Sequence, residues 1–326
     1  MWAAFLIIFA FYLEVQIHYG LDNFRAKMPV VTIGTFDGVH LGHREVIAEL
    51  KRISMETGGE SVVFTFFPHP RMVVNQGEDS IRLLTTIEEK KQLLEELNID
   101  HLVIYPFTEA FAALSYMDFV KEILVDRMHL AKLITGYDHK FGHDRKGDFR
   151  ALTQLGEAYG FEVEQLNPLL VENVAVSSTK IRKALESGEV GKASQLLGYF
   201  YLLRGTVVEG KRLGRELGFP TANLKPDDRH KMIPLDGVYA VIVWVEGVKY
   251  RGMLNVGSRP TVNSNVDHRS IEVNIFDFSE DIYGKTITVS FVKRIRSEVK
   301  FESLEKLKEQ LQSDKTSTLH IFAENI

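Results

Sequence analysis

The chain has 326 residues, 45% hydrophobic and 25% charged, with a net charge of −5 and no cysteine. These are the proportions of an ordinary globular protein long enough for two domains. The acidic balance argues against a broad nucleic-acid surface. The missing cysteines exclude disulfides, Cys-based zinc or iron–sulfur sites and a catalytic thiol, and they fit the reducing cytoplasm expected for this chain.

The first 13 residues, MWAAFLIIFAFYL, are apolar and have no basic residue before them. They are shorter than the ~20 residues a membrane-spanning helix needs. They read as an N-terminal extension (1–14) ahead of two domains, and no membrane partner is expected. Next, Pro29–Ile33 has a strand pattern and Arg44–Met55 an amphipathic helical one, stopped by Gly58-Gly59. Ser61–Phe66 is a second strand. Thr86–Leu97 is a helix opened by a Thr86/Glu89 capping pair. His101–Tyr105 and Lys132–Thr135 are further strands around a helical Met117–Met128. Such alternation predicts an α/β domain with a parallel sheet covered by helices on both faces.

The pattern changes near Gly198, after a helical Val190–Leu197. Strand signals then dominate: Arg204–Val208, Val238–Val245, Lys249–Asn255, Ser270–Phe276 and Thr286–Lys293, with Glu246-Gly247 as a hairpin turn. Short antiparallel strands of this kind predict a small barrel, followed by a terminal helix from Glu302 to Leu311. The predicted domains are 15–198 and 199–326.

Chemistry concentrates first in Gly34–His43, GTFDGVHLGH. Gly34 and Gly38 permit positive φ and close approach of a ligand to the backbone. The helix that follows presents free N–H groups and a positive dipole end to phosphate oxygens. His40 and His43, three residues apart, can reach the same phosphate. A nucleotide phosphate site follows from these features. The stretch resembles the G-x-F-D-x-x-H-x-G-H motif of the nucleotidylyltransferase superfamily. That resemblance implies a Rossmann-like domain in which Gly34, Thr35, Phe36, Asp37 and Gly42 bind nucleotide and His40 and His43 act in catalysis.

A second signature of the same family is present at Ser177–Arg182, SSTKIR. Alone it is a helix N-cap with solvated charges. Within the resemblance, Ser178, Thr179 and Arg182 serve the β- and γ-phosphates of ATP and the departing pyrophosphate. Gly136–Asp148, GYDHKFGHDRKGD, resembles the loop of prokaryotic FAD synthetases that helps form the nucleotide and flavin pocket, which assigns Gly136 and Asp138 to it. Its histidines and aspartates make a less plausible metal cluster.

The downstream half has its own phosphate-handling stretch, Gly210–Leu224, GKRLGRELGFPTANL, in which glycines and three cations precede a Pro-Thr-Ala-Asn turn. A glycine-rich basic loop can wrap phosphates, and Thr221 and Asn223 offer the hard oxygens that magnesium prefers. In isolation it could equally be a basic surface hairpin. The stretch resembles riboflavin kinase, as do Gly237–Tyr239, Asn255–Thr261, Ile271–Val273 and Phe291–Glu298. The resemblance assigns Gly210, Lys211, Gly214, Arg215, Thr221 and Asn223 to ATP, Thr221 and Asn223 to Mg2+, and Glu272, turned toward the barrel interior, to activation of the substrate hydroxyl.

Together the halves resemble the family of bifunctional prokaryotic riboflavin kinase/FAD synthetases over roughly residues 15–320. The implied partners are small molecules only: ATP, riboflavin, FMN and FAD. Alternatives are a chain active only in its kinase half, or a non-catalytic flavin-binding or flavin-sensing protein.

Overall fold

The apolar runs of the first half require burial on both faces, and a parallel sheet provides it. A computed structural model describes residues 14–74, 81–136, 142, 147–167, 170–171, 174–210, 214, 217–258 and 269–325. The N-terminal apolar run lies outside the described residues. The chain forms two compact units, Met1–Ser80 with Lys90–Leu169, and Ile81–Glu89 with Leu170–Ile326.

The first unit is built on β1 (Gln16–Tyr19), β2 (Val30–Ile33), β3 (Ser61–Phe67), β4 (His101–Pro106), β5 (Lys132–Thr135) and β6 (Glu162–Gln165). They lie in the order β1-β4-β3-β2-β5-β6, every pair parallel. All four residues of β2 are buried, so both faces of the central strand are covered. Val31, Ile33, Phe64, Val103 and Leu133 meet Phe119, Leu124 and Leu152 in one core.

Helix α1 (Leu41–Thr57) follows β2 and ends at Gly58, which adopts φ 66°. Helix α2 (Ile87–Glu95) opens with the expected capping box: Thr86 N donates to Glu89 Oε2 at 2.9 Å and Glu89 N to Thr86 Oγ1 at 3.2 Å. The chain crosses from one unit to the other inside this helix. Met117–Met128 is helical as expected, but from Phe119 to Arg127 it is a π-helix, with Met128 N donating to Ile123 O. Strand β1, helix α3 (Phe149–Tyr159) and β6 are additions to the sequence-based pattern. The polar tetrapeptide QIHY of β1 is a strand only because it pairs with β4 at the sheet edge.

In the second unit a two-strand ribbon, β7 (Leu170–Val171) and β8 (Val174–Ala175), leads into α4 (Ser178–Glu186) and α5 (Val190–Leu197). Six strands follow: β9 (Tyr201–Val208), β10 (Ala222–Pro226), β11 (Gly237–Val245), β12 (Val248–Ser258), β13 (Arg269–Ile275) and β14 (Thr286–Arg296). They close into the expected antiparallel barrel in the order β10-β13-β12-β11-β14-β9, with β9 pairing back to β10. Glu246 and Gly247, both with positive φ, make the tight turn between β11 and β12. The PTAN segment, expected as a turn, instead runs into β10: Asn223 pairs with Val208 on one side and Glu272 on the other. Its turn-forming residue types are overridden by strand pairing on both flanks.

The barrel interior is filled by alternate side chains, including Leu203, Tyr239, Val241, Leu254, Val273 and Phe291, so it is a packed core. Ile181 and Leu185 of α4 and Leu196 of α5 join that core, as does Leu84 from the inserted Ile81–Glu89 segment. The terminal helix α6 (Leu304–Asn325) runs well beyond the predicted end at Leu311. It covers the outer wall with Ile321 and Phe322 against Ala240, Ile242 and Val292, and its buried Asp314 accepts both arms of Arg296 at 2.9 and 2.7 Å.

Candidate active sites

In the first unit the GTFD segment leaves the carboxyl end of β2, the strand on whose two sides the chain places β3 and β5. This is the topological switch point, where the crevice of an open α/β sheet receives ligands. The turn is strained. Phe36 (φ 44°) and Val39 (φ 35°) join Gly38 (φ 87°) in the left-handed region, which a β-branched residue seldom enters. His40 is the N-cap of α1, and its Nδ1 accepts from His43 N at 3.3 Å. The two imidazoles stack 3.6 Å apart at an interplanar angle of 13°.

Burial first, then His40 and the positive Lys90, hold the His43 imidazole well below its ordinary pKa, so it is neutral at pH 7. Its Nδ1 is shielded and has no hydrogen-bond partner among the described residues. A buried polar nitrogen at such a place suits a ligand oxygen. The structure therefore brings Gly34, Thr35, Phe36, Asp37, His40, Gly42 and His43 together. Gly136 leaves the same end of β5, whose Ile134 pairs with Thr32 of β2. Asp138 lies outside the described residues.

Beneath this turn is a residue the sequence analysis did not single out. Lys90 is 6% exposed and donates to Thr35 O at 2.7 Å and Thr65 Oγ1 at 3.4 Å. Burial lowers its pKa to about 8 against the opposing pull of Asp37. The signal was a lysine three and four residues before the buried Leu93 and Leu94, on the apolar face of α2.

Ser177–Arg182 forms the N-terminus of α4 in the second unit. Ser177 caps it, accepting from Lys180 N at 3.4 Å. Lys180 Nζ donates to Ala175 O and Arg182 Nε to Arg82 O, both within the same unit. Ser178 and Thr179 thus sit on the first turn, where backbone N–H groups and the helix dipole favour an anion.

The barrel site forms on the outer face. Ile271 and Val273 enter the barrel core, so Glu272 between them faces the other way. The expected inward orientation is corrected by strand alternation. Asn223, Glu272 and Asn255 stand side by side across β10, β13 and β12. Thr221 Oγ1 donates to Glu272 Oε2 at 3.4 Å, and Asn274 Nδ2 holds Pro220 O at 2.7 Å. Phe219, Met253 and Phe276 pack with Leu311 of α6 beside this row.

Gly210 approaches a side chain closely and Gly214 approaches backbone, which makes glycine a stricter need at 214. A methyl group on Gly210 would stand 1.9 Å from Asn223 Nδ2, and one on Gly214 would stand 2.3 Å from Phe219 O. Lys211 and Arg215 lie outside the described residues. Asn255, quoted in the sequence only as part of a motif, joins the row because the register of β12 places it opposite Glu272.

Comparison with known proteins gives two family matches. The FAD synthetase model matches residues 24–180, and the riboflavin kinase model matches residues 197–322. A bifunctional riboflavin kinase/FMN adenylyltransferase of Bacillus subtilis is 37% identical over 309 residues, covering 94% of this chain and 96% of that one. The protein of the same description from Escherichia coli K12 is 37% identical over 294 residues, covering 90% and 92%. A crystal structure described as a macrolide-efflux protein from Streptococcus pneumoniae superposes with a TM-score of 0.83 at 33% identity, over 93% of this chain and 98% of that one.

Proposed function

The chain belongs to the family of bifunctional riboflavin kinase/FMN adenylyltransferases, and we propose that its two phosphate-handling sites divide the family's two reactions between them. The enzyme converts riboflavin and ATP to FMN and ADP, and FMN and ATP to FAD and pyrophosphate. The observation that carries the division is that each compact unit has a phosphate-suited sequence of its own, GTFDGVHLGH at the β2–α1 turn in one and, in the other, the Gly210–Asn223 stretch, whose Asn223 stands beside Glu272. By function the division falls at Gly198, with adenylylation assigned to 15–198 and phosphorylation to 199–326. The family matches, one ending at residue 180 and the other beginning at 197, support a boundary near there.

In adenylyl transfer an FMN phosphate oxygen attacks the α-phosphorus of ATP in line, and the bond to the bridging oxygen breaks to release pyrophosphate. Gly34, Thr35, Phe36, Asp37, Gly42, Gly136 and Asp138 bind the nucleotide. His40 and His43 stabilise the charge that grows on the α-phosphate, with His43 acting as a neutral N–H donor because it resists protonation. The resemblance of SSTKIR to the family signature supports assigning Ser178, Thr179 and Arg182 to the departing pyrophosphate.

In phosphoryl transfer Glu272 takes the proton of the riboflavin 5′-hydroxyl as that oxygen attacks the γ-phosphorus and ADP departs. Gly210, Lys211, Gly214 and Arg215 enclose the phosphates. The hydroxyl of Thr221 and the amide oxygen of Asn223, next to the Glu272 carboxylate, form a hard-oxygen set that fits Mg2+. When bound, the ion would neutralise charge on the nucleotide phosphates. Among the described residues no helix is long and apolar enough to cross a membrane, and the cytoplasm, where ATP is supplied, is the proposed location.

The test is separability. With riboflavin, ATP and magnesium supplied, His43→Ala should accumulate FMN and form no FAD. Glu272→Ala should form no FMN from riboflavin yet make FAD when FMN is given. Loss of both activities from either substitution in a folded protein would refute the two-site assignment.

A further inference from the structure

A lysine in an apolar core is costly unless its charge is used, because burial penalises the ammonium far more than the hydrocarbon stem. Lys90 occupies the core-facing side of α2 beside Leu93 and Leu94, where Leu or Met would pack without that cost. Instead its ammonium closes a small network beneath the nucleotide turn. It donates to the Thr35 carbonyl and the Thr65 hydroxyl, and that hydroxyl donates to the same carbonyl at 3.3 Å. Asp37, 1% exposed, supplies the opposing charge.

Two donors on one carbonyl fix the peptide that enters the strained Phe36–Val39 stretch, where two non-glycine residues have positive φ. We propose that Lys90 is a positioning residue for adenylyl transfer, clamping the Gly34–Val39 turn through the Thr35 carbonyl and adding positive charge below the His40–His43 pair. The role rests on the assignment of adenylyl transfer to Gly34–His43. It explains why a costly cation is kept in place. Without the clamp the turn can relax toward unstrained backbone and carry His40, the cap of α1, out of register.

The groups facing Lys90 are Asp37 from the turn, Thr35 and Thr65 through oxygen, and His43 from α1, whose protonation Lys90 further discourages. With its proton held only to about pH 8, the ammonium is charged at neutral pH and lost in mild alkali.

The experiment uses the full-length chain, with FMN formation in the same sample as the internal reference. Lys90→Met should lower kcat for FAD formation about 100-fold, the scale of a misplacement near 1 Å, with KM for FMN little changed and FMN formation intact. The wild-type adenylylation rate should fall as pH rises through about 8. Lys90→Arg, which keeps its charge to pH values above ~12, should retain activity and push that alkaline limb upward.

If Lys90→Met keeps more than half the wild-type rate while His43→Ala has none, Lys90 has no positioning role. If His43→Ala still forms FAD, the assignment of the site itself falls, and the role of Lys90 with it. Should Lys90→Met fail to fold, the Lys90→Arg profile decides: an unmoved alkaline limb overturns the proposal.

Discussion

Lys231 and Glu89 form an ion pair at 2.6 Å in which neither side chain has any exposure. The lysine also donates to Leu84 O at 2.6 Å and lies over the Tyr201 ring at 4.4 Å. Glu89 receives two further N–H groups, Thr86 N on one oxygen and Arg204 N on the other, both at 2.9 Å. Replacing Lys231 by Met fills the same volume but leaves a buried carboxylate with two neutral donors in place of a charge. Breaking a buried pair from one side costs about 3–5 kcal/mol. For a unit of this size each kcal/mol lowers Tm by ~2–4 °C, so Lys231→Met should lower the barrel unit's melting temperature by roughly 6–20 °C.

Calorimetry of the full chain reads that shift. The temperature at which FMN formation is lost assigns it to the kinase half. Adding Glu89→Gln to Lys231→Met removes the stranded charge and keeps an acceptor for one N–H, so the double substitution should recover most of the lost stability. A single-variant shift under about 2 °C, or a double variant no better than the single, would refute the view that an uncompensated charge is the cause.

Gly210→Ala pushes against the Asn223 amide, a side chain free to swing away, so the fold should survive while FMN formation falls about tenfold or more and FAD formation from FMN is unchanged. An unaffected kinase rate would show that the approach of Gly210 to Asn223 does not matter to the reaction. Chelation of divalent ions should abolish FMN formation reversibly, and Thr221→Val should raise the magnesium concentration needed for half-maximal phosphorylation. Equal magnesium curves would remove Thr221 from the ligand set. Because His43 resists protonation when folded but takes a proton at its ordinary pKa near 6.5 when unfolded, the unfolded chain binds more protons below that pH. Stability of the first unit should therefore decline as pH drops below 6.5, and His43→Asn should flatten that decline. Parallel pH–melting curves for the two proteins would contradict the assignment of that proton.

The elements most legible in the sequence were those specified by local chemistry. The β2–α1 turn was announced by its glycines and paired histidines. The α2 start was announced by Thr86 and Glu89, and the β11–β12 turn by Glu246-Gly247. What escaped depended on distant partners. Strand β1 exists through β4, and β10 exists through β9 and β13, so neither QIHY nor TANL has a strong strand pattern of its own. The orientation of Glu272 followed from which of its neighbours entered the core, a matter of register that composition does not fix. The residue type of Lys90 gives no signal of burial, because lysines in a helix are usually solvated. Only its phase relative to Leu93 and Leu94 marked it as buried.

The insertion of Ile81–Glu89 into the barrel unit bears on how this protein can be cut. A fragment beginning at residue 199 would carry every residue assigned to the kinase reaction, yet it would be an incomplete folding unit. It would leave Lys231 without the Glu89 carboxylate and the Leu84 carbonyl, and would uncover the core surface that Ile181, Leu185 and Leu196 fill. Extending it back to residue 170 would restore the helices but not the nine-residue strip from the other side of the sequence. The proposed catalytic division at Gly198 and the physical division of the molecule therefore do not coincide. A kinase excised as a linear piece needs a replacement for that strip, or an apolar residue at 231, before it can be expected to stand alone.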